Sequence, residues 1–231
     1  MKLIITRPIE DSKRMSSYFE SREFMCIINP LLEISYQKRN RDFDSYNSII
    51  LTSRHAVRSL IDKDKIFEKK IVYACGASTY KEAKIFAPDN EYIFYETVSD
   101  FVDKCKSTLH SISGKTLYLR GRDVSVDVKS IFKGTNIKID DRIEYTADEK
   151  IFFSESALEE INNSEQAHVL IYSVRTANAF IKAIKKYNLS NKTSIIMSYC
   201  ISTNIADVLQ AAGIKSKILA SPAEDAILDL I

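Results

Sequence analysis

The stretch YNSIILTSRHAVRSL, Tyr46–Leu60, decides the fold. Its apolar run, Ser48–Leu51, has the length and composition of a buried strand, and the apolar spacing after it predicts a helix that starts near Arg54. Thr52-Ser53 falls where the strand gives way to the helix. A hydroxyl there can accept a bond from the free N–H groups of the first helical turn. The same helix end attracts anions, because those N–H groups and the helix dipole both point outward.

The pattern recurs later in the chain. His168–Phe180, HVLIYSVRTANAF, repeats it, and Val72–Ala83 has a counterpart in Met197–Val208, where each is a strand, a Ser-Thr pair and a helix. Both repeats have an offset of roughly 120 residues, which is the size of one ordinary domain. We therefore predict two similar parallel-sheet α/β domains, flavodoxin/HUP-like, with hydroxyl-lined helix N-termini at the carboxyl ends of their strands. The alternative interpretation is that these hydroxyls are ordinary N-caps.

The charge balance excludes some classes of function. The 231 residues carry 33 basic and 31 acidic side chains, a formal net charge of +2. A dedicated nucleic-acid or membrane-surface binder would have a larger basic excess, so we expect neither partner. The basic cluster Lys38–Arg41 is interpreted as a solvated linker, whereas Arg120–Arg122 lies at the carboxyl end of a strand, where its arginines are either ligands or members of ion pairs.

The spacing of the cysteines and glycines argues against further classes of function. The chain has four cysteines without a CxxC pair and three dispersed histidines, so we predict no metal site. Five glycines form neither a GxGxxG nor a GxxxxGK[ST] loop, which argues against a nucleotide-binding or flavodoxin-like function. The chain opens directly on a strand and has no apolar run of about 20 residues, so we expect a cytoplasmic protein with reduced thiols.

The strand count predicts the domain layout. Residues 1–34 and 147–231 together supply five strands and form one discontinuous domain, into which 44–140 is inserted as the second. Segments 33–43 and 141–147 are extended and are predicted to pair as a two-stranded β connector, with a ligand cleft between the domains. The predicted helices are 12–21, 54–60, 78–86, 99–109, 124–132, 155–161, 175–187, 203–212 and 224–230. The predicted strands are 2–6, 24–28, 48–51, 70–75, 91–95, 115–119, 168–173, 194–199 and 215–219, with 137–145 extended and 147–150 a polar boundary.

An ordered set of short motifs resembles the uroporphyrinogen-III synthase family over nearly the whole chain. The motifs are Ile5-Thr6-Arg7-Pro8, Leu51-Thr52-Ser53 with Ala56-Val57, Gly76-Ala77-Ser78-Thr79, Tyr118-Leu119-Arg120-Gly121, Glu144-Tyr145-Thr146, Tyr172-Ser173 and Ser221-Pro222. Each is weak by itself, and their order and spacing carry the likeness. The family folds as two such domains joined by a two-stranded connector.

The resemblance implies a function. The family closes the linear tetrapyrrole hydroxymethylbilane, a polycarboxylate, to uroporphyrinogen III with loss of water and inversion of the last pyrrole ring. It needs no metal or organic cofactor, and we expect a monomer. Tyr145 matches the family's connector tyrosine and is the candidate catalytic residue, since a phenol near the leaving oxygen can donate a proton or hydrogen bond. The candidate substrate-binding residues are Thr6, Arg7, Thr52, Ser53, Gly76, Ser78, Thr79, Arg120, Gly121, Arg122, Ser173, Arg175, Ser202 and Thr203.

The chain departs from the family pattern in two places. Cys200 and Ile201 stand where the family usually has glycine and proline, and Arg54 where it often has proline or a small polar residue. Since cysteine takes positive φ only at a cost, we expect a reshaped loop before Ser202-Thr203. The alternative function is a non-catalytic two-domain hinge module that binds a small polyanion, or a synthase that has lost activity.

Overall fold

A computed structural model describes residues 1–37, 43–60, 63–107, 114–135, 137–220 and 224–228. The chain divides into two compact units, Met1–Ile34 with Asp148–Ile231, and Ser35–Ala147. The strands are β1 (Lys2–Ile5), β2 (Met25–Ile28), β3 (Leu32–Tyr36), β4 (Ser48–Leu51), β5 (Ile71–Cys75), β6 (Tyr92–Tyr95), β7 (Lys115–Gly121), β8 (Lys138–Glu149), β9 (Ala167–Ile171), β10 (Ile196–Cys200) and β11 (Lys215–Ile218). The α-helices are α1 (Ile9–Glu20), α2 (Arg54–Arg58), α3 (Lys63–Phe67), α4 (Ala77–Phe86), α5 (Val98–Ser107), α6 (Val128–Ile131), α7 (Glu155–Asn163), α8 (Val174–Lys186) and α9 (Thr203–Gln210).

The first unit is built on a five-stranded sheet in the order β11-β10-β9-β1-β2. All four neighbouring pairs are parallel. Because side chains alternate along a strand, β1 contributes buried side chains to both faces of the sheet. Leu3 and Ile5 pack with Phe19 of α1, and Ile4 packs on the opposite face with Phe180 of α8. A strand buried on both faces reads as a continuous apolar run, which is why the sequence predicted it.

The second unit is built on a six-stranded sheet in the order β3-β8-β7-β4-β5-β6. The pairs β4–β5, β4–β7, β5–β6 and β7–β8 are parallel. In contrast, β3 is antiparallel to β8: the Gln37 N–H donates to the Glu144 carbonyl (2.8 Å) and the Lys150 N–H donates to the Leu31 carbonyl (2.9 Å). The sheet therefore combines the parallel strands that we predicted with one antiparallel strand at its edge. Such an antiparallel edge strand is common on α/β sheets.

The domain boundaries and the connector stay predictions. The two units divide within β3, at Ile34 and Ser35, and within β8, at Ala147 and Asp148. The proposed connector segments 33–43 and 141–147 include both points, although 38–42 lies outside the described residues. The basic cluster Lys38–Arg41 and the motif Ser221-Pro222 also lie outside them.

Several predicted elements were wrong in length or type. The helix predicted over 124–132 is only Val128–Ile131, because Asp127 accepts the Ser130 N–H with its own carboxylate and so caps a late start. The predicted strand 194–199 begins at Ile196 after a 3₁₀ helix, Ser190–Ile195. The final predicted helix is a 3₁₀ turn, Glu224–Ile227, and 229–230 is outside the described residues.

Two more elements differ in extent. The predicted helix 54–60 ends at Arg58, and α3 follows where no helix was predicted. The Ser59 hydroxyl donates to the Ala56 carbonyl (2.7 Å) at this C-terminus. The polar segment 147–150, predicted as a boundary, contains the division between the units at Ala147 and Asp148, while strand β8 continues to Glu149. Gly134, three residues after the end of α6, has φ of 86°, a left-handed conformation.

A half-buried histidine in the first unit predicts how stability depends on pH. His168 Nδ1 lies 2.9 Å from the Tyr199 hydroxyl on the neighbouring strand, and the rings stack at 5.8 Å. Burial lowers the pKa of His168 from 6.5; Glu160 opposes this, while Lys217 and the N-terminus add to it. The unfolded chain therefore binds this proton more readily, so stability is full above about pH 6.5 and falls as the pH drops through the folded pKa.

We expect His168→Gln to remove part of this acid dependence while keeping a polar group near Tyr199. Urea unfolding between pH 5 and 8 measures it. The slope of the unfolding free energy against pH should be smaller in the variant, and the difference should stay below the value for one proton, about 1.4 kcal/mol per pH unit. Equal slopes in the two proteins would contradict the assignment.

Candidate functional site

The carboxyl ends of neighbouring strands place candidate residues along one sheet edge in the second unit. Strand β4 pairs in parallel with β5 on one side and β7 on the other. Thr52, Gly76 and Arg122 each follow directly after one of these strands. Since parallel strands end at the same edge, these positions share one side of the sheet, where ligands of open α/β sheets bind.

Tyr145 lies against Gly121 at this edge. The β7–β8 register shifts between Arg120 and Gly121, so that Gly121 pairs with Tyr145. A Cβ on Gly121 would lie 2.7 Å from Cζ and 2.9 Å from the hydroxyl oxygen of Tyr145. The Arg122 N–H donates to the Tyr145 carbonyl (2.9 Å). Glycine therefore leaves the volume that the half-buried phenol ring occupies.

Two aromatic residues that the sequence analysis did not select complete the surroundings of Tyr145. The His55 ring lies 5.5 Å from the Tyr145 ring, centroid to centroid. His55 Nδ1 is 3.2 Å from the Tyr36 hydroxyl. The available signal was the position of His55, two residues after Ser53, on the helix that the opening motif places at the sheet edge.

Thr52 and Ser53 have local structural roles. The Ser53 hydroxyl accepts the His55 N–H (3.2 Å) and caps α2. Thr52 Oγ1 is 3.1 Å from the Tyr118 hydroxyl in the core. Burial raises the pKa of Tyr118 against the lowering effect of this hydrogen bond. The pair therefore stays neutral at physiological pH and fixes the end of β4.

The Gly76–Thr79 motif begins its helix one residue earlier than predicted. Gly76 is the N-cap, with φ of 86°, and α4 starts at Ala77. Ser78 and Thr79 therefore lie inside the first turn, and they are not the pair that precedes it. Glycine adopts this φ without strain, which permits the early start. Ser78 is exposed, whereas Thr79 is buried.

Arg120 and Arg122 differ in their surroundings. The Arg120 guanidinium donates from Nε (2.8 Å) and Nη2 (2.7 Å) to Asp141 Oδ2, and from Nη1 to the carbonyls of Gly121 (3.0 Å) and Arg122 (3.1 Å). Its donors are thus engaged inside the unit. Arg122 is exposed, and its guanidinium lies 3.5 Å from Asp123.

The first unit has its own edge of carboxyl strand ends, after β1 and β9. Thr6 is buried, and its hydroxyl donates to the Leu170 carbonyl (2.5 Å). The Arg7 guanidinium lies over the Tyr172 ring at 4.7 Å, with Asp11 3.8 Å away.

The N-terminus of α8 follows β9 at the same edge. The Ser173 hydroxyl accepts the Thr176 N–H (3.0 Å) and caps the helix. Arg175, half-buried, lies in its first turn. Thr6 and Ser173 therefore hold the backbone, while Arg7 and Arg175 carry the positive charge of this edge.

The loop with the departures begins α9. Ser202 is the N-cap in an extended conformation, without a side-chain cap bond, and Thr203 is exposed. Cys200 is the buried last residue of β10, and its thiol lies 3.6 Å from the Ser202 carbonyl. Neither Cys200 nor Ile201 has a positive φ. The loop therefore has no need of glycine in this chain.

The residues that the structure describes contain no cluster of three or more His, Cys, Asp or Glu side chains placed to hold a metal ion. The four cysteines are reduced thiols, three of them buried. Burial raises the pKa of the Cys75 thiol to about 12, which makes it unreactive at neutral pH. Within the same described ranges, no helix has the length and apolar character that crossing a membrane requires.

Comparison with known protein families gives a match over most of the chain. The family model described as HEM4, uroporphyrinogen-III synthase HemD, matches residues 13–229. No curated protein sequence matches the chain.

Two solved structures are similar along their whole length. The crystal structure of uroporphyrinogen-III synthetase from Helicobacter pylori 26695 has a TM-score of 0.68 at 20% sequence identity, covering 99% of this chain and 97% of that chain. A mutant uroporphyrinogen III synthase from the extremely thermophilic bacterium Thermus thermophilus has a TM-score of 0.58 at 10% identity, covering 100% and 97%. At these identities the likeness concerns the fold, and both sheets of this chain are part of it.

Proposed function

The chain belongs to the uroporphyrinogen-III synthase family, and we propose that the sheet edge around Tyr145 performs the chemistry of that family. As a synthase it cyclises hydroxymethylbilane to uroporphyrinogen III, with loss of water and inversion of the last pyrrole ring. The observation that carries our assignment is the close fit of the Tyr145 phenol against Gly121 at the carboxyl ends of the strands.

The first chemical step is ionisation of the hydroxymethyl group. The pyrrole nitrogen releases electron density as the carbon–oxygen bond breaks, and the leaving oxygen departs as water once it has a proton. The Tyr145 phenol donates a proton or hydrogen bond to that oxygen. Because the unperturbed pKa of tyrosine is near 10, the phenol is a weak acid that assists the departure. The remaining task is to hold the bilane so that the substituted ring carbon is attacked.

Substrate binding rests on positive groups at the strand ends of each unit. Every pyrrole ring of the substrate carries carboxylates, and an anion near a helix N-terminus gains about 0.3–1 kcal/mol. The first turns of α4, α8 and α9 offer such N–H groups, and arginine adds charge-assisted bonds. We assign Arg7, Ser78, Arg122, Arg175, Ser202 and Thr203 to binding; of these, Ser78, Arg122 and Thr203 are exposed and the others are half-buried. We assign Thr6, Thr52, Ser53, Thr79, Arg120 and Ser173 to holding the backbone of the site.

The shared ligand cleft, the connector and the monomeric state stay predictions. The engaged guanidinium of Arg120 and the capping hydroxyls of Ser53 and Ser173 support their structural assignment. The exposure of Ser78 and Arg122 supports the assignment of these two residues to substrate binding.

The test of the proposed role is Tyr145→Phe in an assay with freshly made hydroxymethylbilane, followed by separation of the oxidised products by isomer. We expect kcat to fall about tenfold, the value of one lost hydrogen bond in the transition state. The control is Tyr187→Phe, which removes a hydroxyl at the C-terminal end of α8, away from the strand carboxyl ends.

The isomers decide between the enzyme and a binding module. Unassisted closure gives the type I isomer, so a folded wild-type protein that yields type I alone would overturn the enzyme assignment. If type III dominates while Tyr145→Phe keeps the full rate, the enzyme stands and the role of Tyr145 fails.

A further inference from the structure

His55 is held in place at both its backbone and its ring. Its N–H donates to the Ser53 hydroxyl (3.2 Å), which fixes the first turn of α2. Its Nδ1 lies 3.2 Å from the Tyr36 hydroxyl, and the two rings are 6.3 Å apart. An imidazole restrained at these two points has little freedom to rotate about its side-chain bonds.

The sheet places Tyr36 opposite Tyr145. The β3–β8 bonds pair Gln37 with Glu144 and Leu31 with Lys150, so the register along this antiparallel pair also sets Tyr36 against Tyr145. The bonded pairs alternate along such a ladder, which makes Tyr36 and Tyr145 a non-hydrogen-bonded pair with side chains on one face. His55 contacts both rings from α2.

The phenol of Tyr145 is therefore bounded on two sides. The backbone of Gly121 lies against Cζ and the hydroxyl, and the His55 ring packs at 5.5 Å with a tilt of 50°. The Gly121 backbone limits rotation of the tyrosine side chain on one side, and the His55 ring limits it on another, in addition to the packing of Tyr145 against the core of the unit.

We propose that His55, held by Tyr36, is a positioning residue that keeps the Tyr145 phenol against Gly121 during ring closure. This inference rests on the proposed function of Tyr145. Histidine suits the task because a flat ring forms the wall while Nδ1 makes the hydrogen bond that orients it. The ring and the hydrogen bond are both required; phenylalanine would lack the hydrogen bond, and asparagine would lack the ring.

The variants separate these two elements. His55→Phe and Tyr36→Phe remove the same hydrogen bond from opposite ends, so each should lower kcat about threefold and the double variant no further. His55→Asn keeps a polar atom near Nδ1 and loses the ring, and His55→Ala loses both and should lower kcat about fivefold. KM should change less than twofold in all of them, because His55 acts on Tyr145 and not on the substrate carboxylates.

The deciding measurement is a double-mutant cycle with Tyr145→Phe. If His55 acts through the phenol hydroxyl, His55→Ala should change kcat less than twofold in the Tyr145→Phe background. A full fivefold loss in that background overturns the positioning role while the role of Tyr145 stands. An unchanged kcat in Tyr145→Phe alone overturns the role of Tyr145 and the positioning role together.

Tyr36→Phe carries the test where His55→Ala does not fold, since it deletes one oxygen atom. Its thermal unfolding midpoint, read beside kcat, separates positioning from general destabilisation. A lower kcat with an unchanged midpoint, absent in the Tyr145→Phe background, supports the proposal. A lower midpoint with a wild-type kcat on the folded protein overturns it.

Discussion

Gly121→Ala is expected to lower kcat about thirtyfold with almost no change in folding stability, because a reacting group misplaced by roughly 1 Å can cost about 10²-fold. The added Cβ would lie 2.7 Å from Cζ, 2.9 Å from the hydroxyl and 3.0 Å from Cε2 of Tyr145. These atoms belong to the end of a side chain and not to the backbone, so the ring is displaced from its place between Gly121 and His55 while the backbone stays. In the proposed role of Tyr145 the substrate binds beside this phenol, so a displaced ring would also obstruct it, and we expect a larger loss than from Tyr145→Phe.

Gly134→Ala is the matched control, since it makes the same substitution in the same unit. Gly134 has φ of 86° and no atom within 4 Å of an added Cβ. Alanine there costs about 1 kcal/mol of stability through backbone strain but leaves the site untouched. The two variants should thus show opposite signatures in kcat and in urea unfolding. A wild-type kcat for Gly121→Ala would show that the phenol needs no fixed position.

The sheet edge could be predicted from sequence because its signals are local. The apolar run Ser48–Leu51 is fully buried, and Ser53 caps the helix after it. Its repeat behaves alike, since Ser173 caps α8 with the same kind of bond. The other repeat diverges: Gly76 begins α4 by its backbone conformation, whereas Ser202 begins α9 in an extended one. The sequence repeats therefore predicted where each strand-to-helix turn lies, but they did not predict which chemical groups form it.

The surroundings of Tyr145 could not be predicted, because they depend on the register between segments 33–43 and 141–147, for which the sequence predicted only that the two segments pair. Tyr36 reaches the site through the antiparallel partner of β8, and no periodicity around it indicates that register. The length of β8 follows from the same pairing. Its polar end, up to Glu149, would be a loop by composition, but in an extended strand the backbone of this region can bond to β3, as Lys150 does to Leu31.

Arg120 is an instance of a residue whose type suggested binding and whose contacts indicate structure. We expect Arg120→Ala to lower the free energy of unfolding by about 2–3 kcal/mol, since hydrogen bonds to charged groups contribute about 1.5–3 kcal/mol. The side chains of Arg120 and Asp141 are only 19% and 16% exposed, so solvent screens this pair weakly. The exposed Arg122 is the control: Arg122→Ala should change stability by less than about 0.5 kcal/mol and raise KM for a polycarboxylate substrate.

Acid unfolding gives an independent check on the structural role of Arg120, because Arg120 lowers the pKa of its partner Asp141. Burial by itself would raise the pKa of Asp141, but hydrogen bonds from Lys129 and Arg120 outweigh it and hold that pKa below 3.8. The unfolded chain then binds the proton more readily, so this stabilisation is present above about pH 3.8 and is lost as the pH falls through the folded pKa. Arg120→Ala should reduce that loss, since only Lys129 then lowers the pKa. A different result would contradict the structural role: wild-type stability, a wild-type loss of stability at acid pH, and a raised KM. Arg120 would then contact the substrate, and its ion pair with Asp141 would be dispensable for folding.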